Sequence, residues 1–165
     1  QQPARMPGDQ HDYIAGYTAA DDPYCQRHLH HQIFRHVYPW AGQFRQVDIA
    51  KGETHFVAHQ DIDARLEGLF HSAAADHFYQ HSDLPAFARA AAAFLIELNL
   101  IHPFREGNGR TQRVLLSQMA RQAGHQIGWS GISETNMRQA CIAGLQGDPQ
   151  PMTRLLMVYL SAMQG

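Results

Sequence analysis

The feature that most constrains the fold is an apolar helical run that stops at a proline and is followed by a glycine-rich turn. Residues 90–101 are almost all alanine, leucine, isoleucine or phenylalanine, which predicts a helix. Pro103 disfavours helical backbone at His102 and so ends that helix. Beyond the turn at 107–109, residues 110–123 are helical in pattern and Gly124 closes them. The sequence therefore predicts two helices joined by a short loop.

The turn between these helices has the composition of a phosphate-binding loop. The first N–H groups of a helix lack partners within it, and the helix dipole favours an anion beside them. Gly107 and Gly109 let the backbone approach a phosphate closely. Asn108 can add a side-chain donor or adopt a left-handed conformation. Arg110 and Arg113 share one helix face, so both can grip phosphate oxygens.

Two residues before the turn supply groups that phosphoryl chemistry needs. Glu106 offers carboxylate oxygens to Mg²⁺, which typically takes one or two carboxylates together with substrate phosphates and waters. His102 is of a residue type that titrates near neutrality, so it can accept the proton of an attacking hydroxyl. Phe104 is expected to anchor the loop on the core. An ordinary helix–turn–helix connection is the alternative.

The stretch from His102 to Arg113 resembles the signature of the Fic (Fido) family, His-x-Phe-x-Asp/Glu-Gly-Asn-Gly-Arg-x-x-Arg. Every fixed position of that signature is filled here. Most Fic proteins transfer AMP from ATP to a hydroxyl of a target protein, a reaction called AMPylation or adenylylation. The resemblance therefore implies a protein adenylyltransferase that uses ATP as substrate together with Mg²⁺.

The resemblance also implies a role for each residue of the signature. His102 would be the base for the target hydroxyl, and Glu106 would hold Mg²⁺ against the α- and β-phosphates. Arg110 and Arg113 would hold the β- and γ-phosphates. The anion-binding nest would be formed by Gly107, Asn108 and Gly109.

A second segment, at about residues 43–58, predicts a β-hairpin. Lys51-Gly52-Glu53 is typical of a turn, and strand formers stand on either side of it. These strand formers are Phe44, Val47, Ile49, Phe56 and Val57. A small hairpin that covers one side of the core is the alternative explanation. Beside a complete Fic signature, the segment resembles the Fic flap, which pairs with the target backbone and holds its hydroxyl near His102. Lys51 and Gly52 would then lie close to the nucleotide.

The chain as a whole predicts an all-α fold with one β-hairpin flap, which is also the Fic arrangement. We expect an irregular N-terminal arm over residues 1–23 and a Fic domain over residues 24–165, with the motif at 102–113. Asp83 is expected to cap a long helix at Leu84–Ile101, and Ser133 a helix that runs toward Gly144. Residues 114–123 predict a central buried helix.

Three further stripes of apolar residues recur at helical spacing. The first predicts a helix from Leu29 to Val37 that ends before Pro39. The second follows the hairpin, at Ile62, Leu66, Leu69, Phe70 and Ala73. The third gives the last helix a face made of Met152, Leu155, Leu156, Tyr159 and Met163.

The composition is that of one globular domain: 165 residues, of which 44% are hydrophobic. A net charge of −2 argues against direct nucleic-acid binding through bulk charge. The longest uninterrupted apolar run is too short to cross a membrane, and no signal-peptide core is present, so no membrane partner is expected. We expect a bacterial cytoplasmic protein, or a domain delivered into a target cell as an effector. Since the chain opens with Gln1 rather than Met, upstream sequence is expected to be missing.

Cysteine and histidine raise the question of metal or redox chemistry. Cys25 and Cys141 are expected to be free thiols. Four of the twelve histidines stand close together, at His28, His30, His31 and His36. No Cys, Asp or Glu joins them at the usual zinc spacings, so we expect a solvated, histidine-rich helix face. Trp40 and Trp129 are expected to pack in the core or against the flap.

The chain has no match to the inhibitory helix of many Fic proteins, whose pattern is Ser/Thr-x-x-x-Glu-Gly/Asn. The closest string, from Ser130 to Thr135, has the wrong last residue and lies between predicted helices. The resemblance therefore implies that the inhibitor is a separate antitoxin-like protein or an upstream segment. It favours the toxin of a bacterial toxin–antitoxin pair, with a secreted effector as the alternative.

Two other function classes stay open. The same scaffold can transfer phosphate, UMP or phosphocholine, and Doc-type kinases of the superfamily carry a Lys-containing variant in place of Gly-Asn-Gly-Arg. The intact Gly-Asn-Gly-Arg at residues 107–110 favours AMP. The remaining class is a non-catalytic binding module that retains the fold. Intact His102, Glu106 and Arg113 argue against it.

Overall fold

The computed structural model describes residues 25–164, so the arm expected over residues 1–23 lies outside the described residues. Its α-helices are α1 Cys25–Phe34, α2 Ile62–Ala75, α3 Leu84–Ile101, α4 Asn108–Gln122, α5 Glu134–Leu145 and α6 Gln150–Tyr159. Its strands are β1 Ala50–Lys51, β2 Thr54–His55, β3 His125–Ile127 and β4 Leu160–Ala162, paired as β1–β2 and β3–β4. Single 3₁₀ turns lie at His59–Asp61, His77–Tyr79 and Trp129–Gly131. The predicted all-α class is confirmed.

Helix α3 forms the centre of the core. Its bounds are the predicted ones, and the Asp83 carboxylate caps it by accepting the Ala86 N–H at 2.8 Å. Helices α2, α4 and α6 all pack against it. By length and composition alone α3 is apolar enough to cross a membrane. Its contacts with these three helices and with α5 explain that character as the packing of a core helix.

The other helices bury the apolar faces that the sequence predicts. In α2 the buried residues are Ile62, Leu66, Phe70 and Ala73. Helix α4 buries Leu115, Leu116, Met119 and Ala120 with the core, which confirms it as a buried central helix. The Ser133 hydroxyl caps α5 by accepting the Asn136 N–H at 3.1 Å.

Two predicted helices end earlier than expected. Helix α1 stops at Phe34, because the N–H groups of Val37 and Tyr38 both bond to the Phe34 carbonyl in a tight turn. Val37 is therefore 63% exposed instead of lying on the buried face. Helix α6 stops at Tyr159, because the next residues pair with β3 as an antiparallel strand. Met163 thus lies beyond the helix, and the β3–β4 ladder was not predicted.

The predicted hairpin is present, but its ladder is short. Ala50 pairs with His55 and Lys51 with Thr54, so Gly52 and Glu53 form the turn. All five predicted strand formers lie outside the two strands. One further backbone bond, from the Phe56 N–H to the Ile49 carbonyl at 3.3 Å, continues the pairing. The carbonyls of Val47 and Val57, farther from the turn, bond to the buried Arg45 side chain. The hairpin therefore has a ladder of two residues on each strand, and at its base the Arg45 side chain bonds to both of its segments.

Candidate active site between the motif loop and the hairpin

The loop between α3 and α4 is anchored from inside. Phe104 is 1% exposed, and its ring stacks on the His30 ring with centroids 3.9 Å apart. The predicted role of Phe104 as the apolar anchor is confirmed. The Trp40 ring also stacks on His30, with the two ring centroids 5.7 Å apart. The anchor is thus an aromatic layer supplied by α1 and the segment that follows it.

Gly107 is required by two features of its surroundings. Its φ of 84° lies in the left-handed region, which favours glycine. A Cβ there would stand 2.3 Å from Cε2 of Phe34, far inside van der Waals contact. Helix α4 begins at Asn108, earlier than the predicted Arg110, so Asn108 and Gly109 belong to its first turn. A Cβ at Gly109 would meet nothing within 4 Å, so this position is open for an anion at the helix N-terminus.

The Asn108 side chain is held inside the motif loop. Its Oδ1 accepts the Phe104 N–H at 2.9 Å, and its Nδ2 donates to the Phe104 carbonyl at 2.7 Å. Both ends of the buried amide are therefore used to close the loop. The left-handed conformation considered for Asn108 belongs to Gly107 instead.

Only part of the histidine cluster is the solvated face that the sequence predicted. His31 and His36 are exposed, whereas His30 is fully buried and His28 is 6% exposed. His36 also lies beyond the end of α1. The Gly42 N–H donates to His30 Nδ1 at 2.9 Å, so the proton sits on Nε2, which donates to the Glu106 carbonyl at 2.8 Å. Burial lowers the pKa of His30, which agrees with this neutral ring. His30 therefore holds the motif loop from its buried side, through the Glu106 carbonyl.

His102 lies at the junction where α3 ends. Its φ of 48° is left-handed, and its ring stacks on Phe56 with centroids 3.9 Å apart. Nδ1 lies 3.3 Å from the Asn99 carbonyl and donates to it, which leaves Nε2 to accept a proton. Burial lowers the pKa of His102 to about 4, and the charges of Arg45 and Lys51 also lower it. The ring is therefore neutral and able to act as a base.

Arg45, which was not among the predicted site residues, has its side chain directly under this junction. Arg45 is 2% exposed, and its Nε donates to the His102 carbonyl at 2.8 Å. The sequence signal that could have indicated it is a single arginine among strand formers, where a buried strand residue would be apolar. Phe56 was assigned to a strand, and its stacking on the base was equally missed.

A cavity of about 700 Å³ opens between the hairpin and α5. Of the predicted site residues, it brings together Lys51, Gly52, His102 and Arg113. The predicted residues outside its lining are Glu106, Gly107, Asn108, Gly109 and Arg110. Arg110 is exposed, with its guanidinium carbon 5.7 Å from the Phe34 ring centroid. Of the predicted signature residues, His102 and Arg113 therefore line the cavity, and the others lie in the adjoining loop and the first turn of α4.

The far wall of the cavity comes from residues that the signature does not include. Its apolar part consists of Trp129, Ile132, Met137, Cys141, Ile142 and Leu145. Trp129 is fixed by its indole N–H, which donates to the Ser117 hydroxyl at 2.7 Å. Glu134 and Arg138 add charge to the same wall. An apolar wall facing a polar one suits a ligand with a flat apolar part and a charged part.

The surroundings of Glu106 suit a carboxylate that binds Mg²⁺ together with substrate phosphates. Its side chain is exposed, and no hydrogen bond or ion pair occupies its carboxylate among residues 25–164. His30 fixes its backbone carbonyl and so sets where the side chain starts. Within the same residues no cluster of three His, Cys, Asp or Glu side chains forms a protein-only metal cage. A single free carboxylate is what Mg²⁺ uses when substrate phosphates complete its shell.

Curated relatives share most of the chain. It is 42% identical over 127 residues to the probable protein adenylyltransferase y4lH of Sinorhizobium fredii, covering 76% of this chain and 66% of the relative. It is 35% identical over 128 residues to the protein adenylyltransferase VbhT of Bartonella schoenbuchensis, covering 78% of this chain and 27% of the relative. The chain thus spans less than two thirds of the length of these relatives.

Solved structures and a family model agree on the fold. BepC, a VirB-translocated effector protein of Bartonella tribocorum solved with bound AMPPNP, superimposes with a TM-score of 0.83 at 27% identity. The alignment covers 87% of this chain and 76% of that one. The model described as the Fic/DOC family matches residues 24–120, more than half of the sequence and the whole of the loop and hairpin described above. The chain therefore belongs to the Fic/DOC family.

Proposed function

We propose that this domain transfers AMP from ATP to a hydroxyl group of a target protein. The observation that carries the proposal is the cavity in which a neutral His102 faces the same space as Arg113 and Lys51. A base and two cations around one cavity suit two substrates that meet there, a target hydroxyl that loses its proton and a nucleotide whose phosphates carry negative charge. The relatives named as protein adenylyltransferases and the neighbour with bound AMPPNP support the nucleotide.

The residues divide the work between binding and proton transfer. The apolar wall that includes Trp129 would receive the adenine, and the start of α4 with Arg110 and Arg113 would hold the β- and γ-phosphates. Mg²⁺ held by Glu106 would neutralise phosphate charge when it binds with the nucleotide. This arrangement leaves the α-phosphorus as the point of attack.

In the proposed transfer step, His102 accepts the proton of the target hydroxyl. The target oxygen bonds to the α-phosphorus while the bond from that phosphorus to the bridging oxygen breaks, and pyrophosphate leaves. The proton of the target hydroxyl passes to His102 Nε2. The low pKa of the ring keeps it unprotonated before the step. Phosphate charge in the cavity then favours the imidazolium that forms.

The label on ATP tests this proposal directly. Purified protein is incubated with bacterial lysate and ATP labelled at either the α- or the γ-phosphate, and labelled proteins are identified by mass spectrometry. The α-label should reach protein and the γ-label should not. Transfer of the γ-label alone would instead make the protein a kinase of the Doc type. Lysate incubated with His102→Ala protein is the control for other transferases.

We also propose that the Fic domain extends from residue 24 to residue 165. The family match ends at residue 120, but α5 supplies a wall of the cavity and α6 packs against both α3 and α5. A domain cut at residue 120 would lose that wall. The apolar wall and the α3–α6 contact therefore support the longer boundary.

For partners, we propose a target protein docked on the hairpin and a separate antitoxin-like inhibitor. Arg113 is exposed on the cavity and forms no ion pair among residues 25–164, so an incoming glutamate can reach it. Glu134 lines the same cavity without pairing to Arg113 there. Purified protein should be active as it stands, and its expression in bacteria should slow growth. An inert protein that becomes active on Glu134→Gly would show an internal inhibitor instead.

A further inference from the structure

The buried Arg45 side chain bonds both to the hairpin and to the end of α3. Its guanidinium donates to the carbonyls of His102 (2.8 Å), Ile101 (3.1 Å) and Val47 (2.7 Å), and also to that of Val57. Its backbone N–H donates to the Pro103 carbonyl at 2.9 Å. One side chain therefore ties both legs of the hairpin to the end of α3.

The charge of Arg45 is matched by backbone dipoles, with no carboxylate in direct contact. It forms no ion pair among residues 25–164; the Asp48 carboxylate favours the charged guanidinium from a distance and bonds to His59. The carbonyls at a helix C-terminus lack intrahelical donors and carry partial negative charge. Ile101 and His102 present such carbonyls at the end of α3. Arg45 satisfies them with a fork of donors, which a lysine or a neutral residue cannot reproduce.

The position of the His102 ring follows from these contacts. A left-handed backbone at a histidine is strained, with a φ of 48°, and persists only when its surroundings hold it. Arg45 holds the carbonyl of that residue, and Phe56, next to Val57 on the hairpin, covers the ring. The backbone direction and the ring plane are thus both set through the hairpin base.

We propose that Arg45 is a positioning residue that fixes His102 for proton transfer and couples the hairpin to it, an inference that rests on the proposed AMP transfer. Arg45 does not line the cavity, so it touches neither nucleotide nor target. Its loss should act on the chemical step and leave nucleotide binding nearly unchanged. The groups that face the ring are Asn99, Phe56 and Lys51, and Arg45 is the second cation whose charge acts on it.

The test compares Arg45→Met and Arg45→Lys with Arg65→Met, which removes an exposed arginine that bridges α2 and α3 through Glu97. In Arg45→Met, kcat should fall about a hundredfold, as for a misplaced reacting group. The KM for ATP should change by less than about threefold, because ground-state contacts remain. In Arg45→Lys the charge stays but the fork is lost, so kcat should be intermediate. Arg65→Met should match the wild type.

A second readout does not depend on transfer activity. The pKa of the His102 imidazole, followed by NMR, should rise in Arg45→Met, because a neighbouring cation is gone and the ring is less confined. In Arg45→Lys it should stay near the wild-type value. If the wild type shows no AMP transfer, the proposed function fails, and the titration alone decides the role of Arg45.

Two results would overturn the proposal. One is a folded Arg45→Met protein whose kcat and His102 pKa both equal those of the wild type. The other is a loss confined to the KM for ATP, which would place Arg45 in nucleotide binding. If Arg45→Met does not fold, Arg45→Lys decides: a kcat loss of about tenfold or more at an unchanged melting temperature supports positioning. A wild-type kcat in that variant overturns it.

Discussion

The motif loop and the hairpin border the same cavity, yet they are held in opposite ways. The loop is tied to the interior by the buried Phe104 ring, by both ends of the Asn108 amide and by His30. The hairpin above its base has two paired residues per strand and an exposed turn. The loop therefore has few alternative conformations, whereas the tip of the hairpin has little that fixes it.

This difference matches what each region would have to recognise. A phosphate chain and a proton acceptor need one geometry, and small displacements of reacting groups are costly. A target segment that adds to a strand edge is bound mainly by backbone hydrogen bonds, which tolerate different side chains. A rigid loop beside an adaptable hairpin thus allows strict chemistry with variable targets. The following predictions test that division.

The largest effect is expected from removing the base. His102→Ala should reduce transfer by about 10²- to 10⁴-fold, since no other histidine of residues 25–164 lines the cavity. Binding of an ATP analogue, measured by calorimetry, should be nearly unchanged. His71→Ala, which removes an exposed histidine of α2, is the control and should retain wild-type activity. Transfer at the wild-type rate by His102→Ala would remove His102 from the mechanism.

The two glycines of the motif should separate stability from binding. Gly107→Ala combines a left-handed backbone with a clash against Phe34, so it should cost about 2–4 kcal/mol in the free energy of unfolding. Gly109→Ala has open space and a helical backbone, so stability should stay constant or rise by up to about 1 kcal/mol. It should nevertheless weaken ATP-analogue binding, because a methyl group would stand before the helix N-terminus. Denaturant unfolding and calorimetry measure the two effects, and equal destabilisation by both variants would contradict this assignment.

Stability should decrease in mild acid because two neutral histidines, His30 on α1 and His102 at the end of α3, adjoin the motif loop. The folded state lowers the pKa of His30 and that of His102, the latter from 6.5 to about 4. Below pH 6.5 the unfolded chain binds protons that the folded chain does not, so the free energy of unfolding falls as pH drops toward 4. Urea unfolding at pH 7.5 and pH 5 measures the loss. In His102→Ala that loss should be smaller, and an identical loss would mean that His102 titrates normally.

The smallest effect is expected on the hairpin. His55→Ala changes an exposed residue of β2 outside the cavity lining, so the free energy of unfolding should shift by less than about 0.5 kcal/mol. The KM for ATP should not change. The KM for the target protein should rise a few-fold if the target pairs along this strand. A change in the KM for ATP instead would mean that the hairpin acts on nucleotide binding.

Features governed by local sequence were predictable. The capped helix α3 follows from Asp83 and a continuous apolar run, and the loop after it from Pro103 and Gly107. The position of the hairpin followed from its turn at Gly52. In each case the residues that determine the structure are within a few positions of it, so propensity and tertiary packing agree.

Features that depend on distant partners were not predictable from the residues alone. His30 is polar on a helix face, and only Gly42 and Glu106, which meet it in three dimensions, explain its burial. Arg45 is a cation among strand formers, and only the carbonyls of Val47 and Val57, which meet it in three dimensions, explain its burial. The last strand forms because β3 offers an edge to a segment whose apolar spacing also fits a helix. A periodic pattern describes one element and cannot reveal such competition.

The cysteine on the cavity wall gives this protein a built-in occupancy reporter. Cys141 lines the cavity, whereas Cys25 is 1% exposed in the core, so a thiol reagent reaches them at different rates. Burial raises the pKa of the Cys141 thiol, which makes its alkylation at neutral pH slow enough to time. Any ligand that fills the cavity must slow that reaction further. Protection of Cys141, read by intact-protein mass spectrometry, would therefore rank nucleotides without a known target.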